Sequence, residues 1–174
     1  MTDLLIVDGY NIVNAWPQLI AMQQVSLDAA RDTLLRILAD YSGYSGTAIW
    51  LVFDAYMVKN AALKDENING VRVVFTANGD TADAFIEREL SALLQRQRRL
   101  KVRVATSDRV EQGMILGMGA IRMSARELEL EIEQTRKQRN YAYVEPNRLQ
   151  KKVLIERLQP EVADKMEKLR RKKD

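Results

Sequence analysis

The 174-residue chain contains no cysteine and no histidine. Without cysteine it can form no disulfide, no thiolate nucleophile and no cysteine zinc site. Without histidine it lacks the commonest general base and the commonest transition-metal ligand. Any catalysis must therefore come from carboxylates, hydroxyls, lysine, tyrosine or a bound ion. A site built from hard oxygen ligands favours Mg²⁺ or Mn²⁺ over zinc.

Long apolar runs and nucleotide-binding loops are missing as well. No apolar run approaches the roughly 20 residues that a membrane-spanning helix needs, and the run at Leu4 follows no basic segment of the kind that opens a signal peptide. We therefore expect a cytoplasmic protein that does not contact membranes. There is no Walker A sequence, and Gly113, Gly117 and Gly119 do not form a G-x-G-x-x-G motif.

What the chain does have is a set of apolar segments that each end in an acid. These segments and their acids are residues 4–8 with Asp8, residues 47–54 with Asp54, and residues 102–106 followed by Asp108. A continuous apolar run is typical of a strand buried on both faces of a parallel sheet. Because parallel strands end at one edge, the three acids should lie along the edge where open α/β sheets bind their ligands.

The order of the elements predicts an α/β fold. Two more strands are expected at 71–75 and 120–123, and the segment 55–70 is interpreted as loose, with a turn at Asn69-Gly70. Helices should begin at Ser26, span 80–99, follow Asp108, and run from the capping-box residue Ser124 to about 137. With right-handed crossovers these strands give a mostly parallel sheet in the order 3-2-1-4-5, which makes Asp8 and Asp108 neighbours.

The helix at 80–99 adds Asp83 and Glu87, which are four residues apart and share one helix face. The predicted centre therefore contains Asp8, Asp83 and Asp108 as metal ligands, with Glu87 as a further acid. Such a group can hold Mg²⁺ or Mn²⁺ and support hydrolysis of a phosphodiester without histidine. Each acid alone also fits a structural role, since Asp8-Gly9 can be a turn and Asp108 can cap a helix. Asp54 fits a supporting role or a turn.

Several residues can contact RNA, although packing or solvated roles fit them equally well. Tyr10 and Tyr56 follow strand ends and can stack on bases, while Lys59, Lys64 and Arg109 can contact phosphate. Residues 165–174 carry a net charge of +4, which leaves −1 for the rest of a chain whose total is +3. The basic residues of this tail are Lys165, Lys168, Arg170, Arg171, Lys172 and Lys173. A second basic stretch spans 96–103. Basic segments attract polyanions.

Four segments in order resemble the YacP-like NYN domain family, a branch of the PIN-like nucleases. They are residues 6–12 (IVDGYNI), residues 52–56 (VFDAY), the Thr81-Ala82-Asp83 helix start with Glu87, and Thr106-Ser107-Asp108. The likeness covers about 4–133. It implies a PIN-like three-layer α/β fold, with a central, mostly parallel sheet flanked by helices, and a metal-dependent endoribonuclease. Asp8, Asp83 and Asp108 match the family's metal-binding acids, Asn11 its asparagine and Glu87 its subsidiary acid. The family also implies mRNA as substrate and the ribosome as a partner.

Three functions remain open. The first is an endoribonuclease that cuts single-stranded RNA with Mg²⁺ or Mn²⁺, in which Asn11 orients Asp8 or the substrate and Glu87 assists. The second is a non-catalytic module that binds RNA or the ribosome, and the third is a small-molecule phosphohydrolase. The nuclease domain is expected at 1–141, followed by a charged, helical extension at 142–174.

Overall fold

A computed structural model describes residues 3–55, 63–97 and 99–139. Within them the strands are β1 (Asp3–Asp8), β2 (Ala48–Phe53), β3 (Lys64–Ile68), β4 (Val71–Phe75), β5 (Lys101–Ala105) and β6 (Ile121–Met123). The helices are α1 (Gly9–Val13), α2 (Pro17–Gln23), α3 (Leu27–Ser45), α4 (Ala82–Arg96), α5 (Arg109–Gly117) and α6 (residues 125–139).

The strands form one six-stranded sheet in the order β3-β4-β2-β1-β5-β6. All pairs are parallel except β3 with β4. The predicted α/β fold is therefore confirmed, and the predicted order 3-2-1-4-5 corresponds to β4-β2-β1-β5-β6. In the register, Asp8 lies opposite Val52, and Val7 lies opposite Ala105. The carboxyl ends of β1, β2 and β5 thus meet at one edge, as the sequence predicts.

Alternation along the strands divides the core between the two faces of the sheet. Leu5, Val7, Leu51 and Phe53 belong to a cluster that contains residues of α1, α2, α3 and α6. The intervening strand residues belong to a second cluster with α4 and α5, whose strand members are Leu4, Ile6, Val52, Val74, Val102 and Val104. The result is a three-layer arrangement with helices on both faces. Trp16 is 1% exposed and donates to the Ala125 carbonyl at 2.8 Å.

Predicted helix starts are present with their caps. The Ser26 hydroxyl accepts a hydrogen bond from Ala29 N, and Thr81 Oγ1 accepts one from Ala84 N. Before α6, Ser124 and Glu127 exchange hydrogen bonds, as the capping box requires. This pairing also holds the pKa of Glu127 below its usual value, because the ionised carboxylate is the better acceptor.

Three elements were not predicted. Strand β3 lies in the segment interpreted as loose, and four of its five residues are exposed, so it has no apolar alternation to indicate a strand. It pairs through the predicted turn at Asn69-Gly70, where both residues have positive φ, 52° and 84°. Helices α1 and α2 have only five and seven residues. Such lengths are too short to show helical periodicity.

The chain divides into two compact units, residues 1–135 and residues 136–174. The expected extension at 142–174 lies outside the described residues, so the boundary at 141 stays a prediction. Among the described residues, no helix is both long enough and apolar enough to span a membrane.

Candidate metal centre

Asp8 ends the central strand and begins α1, and its carboxylate is fixed by Asn11. Oδ1 accepts the Asn11 backbone N–H at 3.1 Å, and Oδ2 accepts the Asn11 side-chain amide at 2.7 Å. The residue is only 3% exposed. Burial raises the pKa of Asp8 to about 6, and the charges of Asp83 and Asp54 add to the rise against the two Asn11 bonds. The predicted pairing of Asn11 with Asp8 is thus present.

Asp83 lies in the first turn of α4, and Asp54 helps to place that turn. Asp54 Oδ1 accepts the backbone N–H of Ala82 at 2.5 Å, which ties the end of β2 to the start of α4. Asp83 is exposed. Even so, burial raises the pKa of Asp83, and the neighbouring charges of Asp108 and Asp54 raise it further. Asp54 therefore supports the centre from the adjacent strand, one of the two roles that the sequence left open.

Glu111, which the sequence analysis did not select, is the third acid. It lies in the first turn of α5 and is 3% exposed, and both of its carboxylate oxygens are buried without a hydrogen-bond partner. Burial raises the pKa of Glu111 to about 8. The nearby Thr106 side chain lowers the pKa somewhat, although it forms no hydrogen bond with either oxygen. The negative charges of Asp83 and Asp8 raise the pKa further. A buried carboxylate without a partner is costly unless it is protonated or binds a cation.

Asp8, Asp83 and Glu111 form one group. One carboxylate oxygen from each residue lies within 4.8 Å of the other two. Burial is the main cause of the upward direction of all three pKa values, and repulsion between ionised carboxylates this close adds to it. All potential ligands are hard oxygens, the donor type that Mg²⁺ and Mn²⁺ prefer. The arrangement can therefore hold a divalent cation, and in its absence it can hold protons.

Asp108 and Glu87 are not members of this group. Asp108 Oδ1 caps α5 by accepting the backbone N–H groups of Val110 and Glu111, at 2.7 and 3.3 Å. Asp108 therefore caps the helix, the structural role that the sequence also allowed. Its negative charge still raises the pKa of Asp83. Glu87 is exposed one turn beyond Asp83 on α4. Their roles as metal ligand and assisting acid stay predictions.

A signal for Glu111 was nevertheless available in the sequence. In α5 it lies four residues before the buried Ile115, so an acid occupies the apolar face of the helix. It also follows the capping residue Asp108 by three positions, which directs it towards the same edge of the sheet. An acid on an apolar helix face next to a predicted metal ligand is a specific pattern.

The predicted RNA contacts are only partly described. Tyr10 is half-buried against Phe53, with ring centroids 5.1 Å apart. Arg109 and Lys64 are exposed, in α5 and β3. Tyr56, Lys59, Arg170 and Arg171 lie outside the described residues.

Comparison with known proteins agrees with this fold. A family model described as the YacP-like NYN domain matches residues 5–171, so the match extends well beyond the motifs at 4–133 and includes most of the basic tail. The chain is 45% identical over 131 residues to the uncharacterized protein YacP of Bacillus subtilis (strain 168), over 75% of each chain. The crystal structure of Rae1 (YacP) from Bacillus subtilis matches with a TM-score of 0.68 at 40% identity, covering 98% of this chain and 95% of that one. A crystal structure of a variant of that protein gives a TM-score of 0.66 over 79% of each chain.

Proposed function

Because the chain belongs to the YacP-like NYN domain family, whose domains are nuclease-like, we propose that it is a metal-dependent endoribonuclease. Its substrate would be single-stranded RNA, with mRNA on the ribosome as the biological form. The observation that carries the proposal is the group formed by Asp8, Asp83 and Glu111 at the carboxyl edge of the sheet.

The residues present fit a divalent cation. Glu111 has two buried oxygens without partners, next to two other acids. The described residues contribute only carboxylates to the group, and the whole chain contains no histidine or cysteine. Asp8, Asp83 and Glu111 would hold Mg²⁺ or Mn²⁺. When bound, such a cation activates water and neutralises the charge that develops on a phosphodiester.

The chain's own residues prepare this centre in distinct ways. Asn11 donates to both oxygens of Asp8, so that carboxylate keeps one orientation. Asp54 fixes the first turn of α4 through Ala82 N and so places the adjoining Asp83. Because the pKa of Glu111 is raised to about 8, the metal-free protein holds a proton there at neutral pH. Cation binding should release that proton, since the ligand must be ionised.

The test is a cleavage assay on a labelled single-stranded RNA, with DNA of the same sequence, duplex RNA and nucleoside monophosphates as alternative substrates. We expect internal cleavage of the single-stranded RNA in Mg²⁺ or Mn²⁺ and none in EDTA. D83N should abolish cleavage. E89Q is the matched control, because Glu89 is also an acid on α4 but faces Arg72, 3.9 Å away, outside the cluster.

Each other outcome selects a different function. RNA that is bound but left intact with both cations would support the non-catalytic binding module. Phosphate release from monophosphates, with intact RNA, would support the phosphohydrolase. Cleavage that survives both EDTA and D83N would contradict the proposed centre.

The basic tail is proposed to bind the RNA backbone or the ribosome. Deletion of residues 165–174 removes a net charge of +4. We expect weaker RNA binding and a smaller salt dependence, since each phosphate contact releases counterions. Cleavage at saturating RNA should persist, because the acids lie elsewhere in the chain. An unchanged salt dependence would show that the tail is only a solvated end.

A further inference from the structure

Arg31 occupies an unusual position on α3. Its side chain is only 13% exposed. The guanidinium carbon lies over three aromatic rings, 5.2 Å from the centroid of Tyr10, 5.8 Å from that of Phe53 and 5.7 Å from that of Phe75. Contacts of this kind hold a cation in place by attraction to the ring faces. Arg31 is therefore a fixed positive charge rather than a mobile surface side chain.

The hydrogen bonds of Arg31 leave donors unused. Nη1 donates to Asp28 Oδ1 at 2.6 Å, and Nη2 donates to the Tyr10 hydroxyl. Nε is buried and has no partner. A guanidinium carries five N–H donors, so two partners do not saturate it. Asp28 is 84% exposed, and water therefore screens the charge that it offers to Arg31.

This group lies at the same edge of the sheet as the acids. Phe53 and Phe75 are paired at the ends of β2 and β4, and Tyr10 is two residues after Asp8. The Cα atoms of Asp8 and Tyr10 can be at most about 7.6 Å apart. Alternation places Phe53 on the α3 face of the sheet and its neighbour Asp54, bonded to α4, on the other. Arg31 and the acids thus flank one edge from opposite faces.

We infer that Arg31 is a phosphate-binding residue, which takes a backbone phosphate of a single-stranded RNA that crosses this edge to reach the acids. The inference rests on the proposed function and names a residue that holds its substrate. The acids attract cations but repel a polyanion, so an RNA strand needs a positive contact close to them. Arginine suits that role because its planar fork can donate two hydrogen bonds to one phosphate.

Arg88 also lies over a ring, that of Phe85, but its side chain is 56% exposed and it donates to Asp80. Two other described arginines with aromatic or buried contacts, Arg72 and Arg103, are more fully neutralised. Arg72 lies over Trp50 but donates to both oxygens of Asp65. Arg103 also has an unpartnered Nε, yet its Nη1 reaches both oxygens of the partly buried Glu131. Neither combines an exposed acidic partner with a position beside Tyr10.

The test measures binding without cleavage. Fluorescence anisotropy of a short labelled single-stranded RNA is followed in EDTA across about 50 to 200 mM salt. R31M keeps an apolar chain over the rings but removes the charge and the donors. The matched control is R36M, because Arg36 is on the same helix and is exposed, with Nη2 donating to Thr33.

We expect R31M to weaken binding by about tenfold at low salt, and to reduce the slope of log affinity against log salt by about 0.7. R36M should match the wild type in both measures. D28N removes the acidic partner but keeps Arg31, so RNA should bind at least as tightly as to the wild type. Equal affinity and slope for R31M and the wild type would overturn the inference, as would a wild type that binds no RNA.

A second measurement uses the wild type, so its result does not depend on whether R31M folds correctly. The ¹⁵Nε resonance of Arg31, assigned with R31K, should shift when RNA is added, while that of Arg36 should not. An unmoved Arg31 resonance at saturating RNA would overturn the inference. The two proposals fail separately, because RNA bound through Arg31 but left intact in Mg²⁺ and Mn²⁺ would refute hydrolysis alone. Cleavage with unchanged R31M binding would refute only the role of Arg31.

Discussion

Replacing Glu111 by glutamine should make the metal-free protein more stable at alkaline pH. Both oxygens of Glu111 are buried without a hydrogen-bond partner beside Asp8 and Asp83. Burial raises the pKa of Glu111 from its ordinary 4.5 to about 8. Glutamine has nearly the same shape but no charge, so it avoids the ionisation that the folded protein resists.

The sign follows from proton binding by the two states. Below pH 4.5 the carboxyl is protonated in both the folded and the unfolded chain, and it costs nothing. As the pH rises towards about 8, the unfolded chain ionises while the folded chain keeps its proton. The free energy of unfolding therefore falls across this window and levels off above it.

The magnitude is measurable. Each pH unit by which the folded pKa exceeds the unfolded one costs about 1.4 kcal/mol. Because the unfolded chain loses this proton and the folded chain largely keeps it, about 3 kcal/mol would be lost from the free energy of unfolding between pH 5 and pH 8. Solvent screening and relaxation around the charge reduce this value, so we expect about 2 kcal/mol.

Urea denaturation in EDTA at pH 5 and pH 8 tests this reasoning. E111Q should lose less stability than the wild type over that interval, by about 2 kcal/mol. E66Q, at an exposed position in β3, should keep the wild-type dependence. Mg²⁺ should stabilise the wild type, because it binds only the folded state, and should stabilise E111Q less. Equal losses for E111Q and the wild type between the two pH values would refute the burial argument.

Three further changes test other parts of the molecule. D83N should abolish cleavage but leave the circular dichroism spectrum and folding intact, because Asp83 is exposed; retained cleavage would contradict its role. G9A should destabilise by about 1–3 kcal/mol in urea, since an added Cβ would lie 2.2 Å from the Phe53 ring, and an unchanged midpoint would argue against that contact. W16F should cost about 1–3 kcal/mol, because the buried Ala125 carbonyl loses its donor at 2.8 Å; a wild-type urea midpoint would show that water replaces it.

The central strands could be predicted because they are buried on both faces. Residues 4–7 are apolar throughout, and Val102, Val104 and Ala105 are buried apolar residues of β5, as a parallel strand between two helical layers requires. Strand β3 could not be found in the same way, since its residues contact water and their pairing depends on the neighbouring strand. The Asn69-Gly70 turn was the only local indication of a hairpin there.

In the candidate site, too, some acids could be selected from the local sequence, whereas another is recognised only from the folded structure. Asp8 and Asp83 could be selected because each stands at a recognisable boundary of a strand or helix. Glu111 lies in the first turn of a helix rather than at its boundary, and its importance depends on burial beside Asp8 and Asp83, more than a hundred and almost thirty positions away in sequence. Asp108 could be selected from the sequence, but its role could not be decided there, because a helix cap and a metal ligand require the same residue type at the same boundary.

The central place of β1 in the sheet also affects when the protein can become active during synthesis. This strand is made first but lies between β2 and β5, and β5 begins only at Lys101. A nascent chain can pair β1 with β2 early, yet one side of β1 stays open until β5 has been translated. Glu111 follows later still, so the acid cluster cannot assemble on a short nascent chain. An incomplete polypeptide that ends before α5 therefore lacks one of the three acids of this centre.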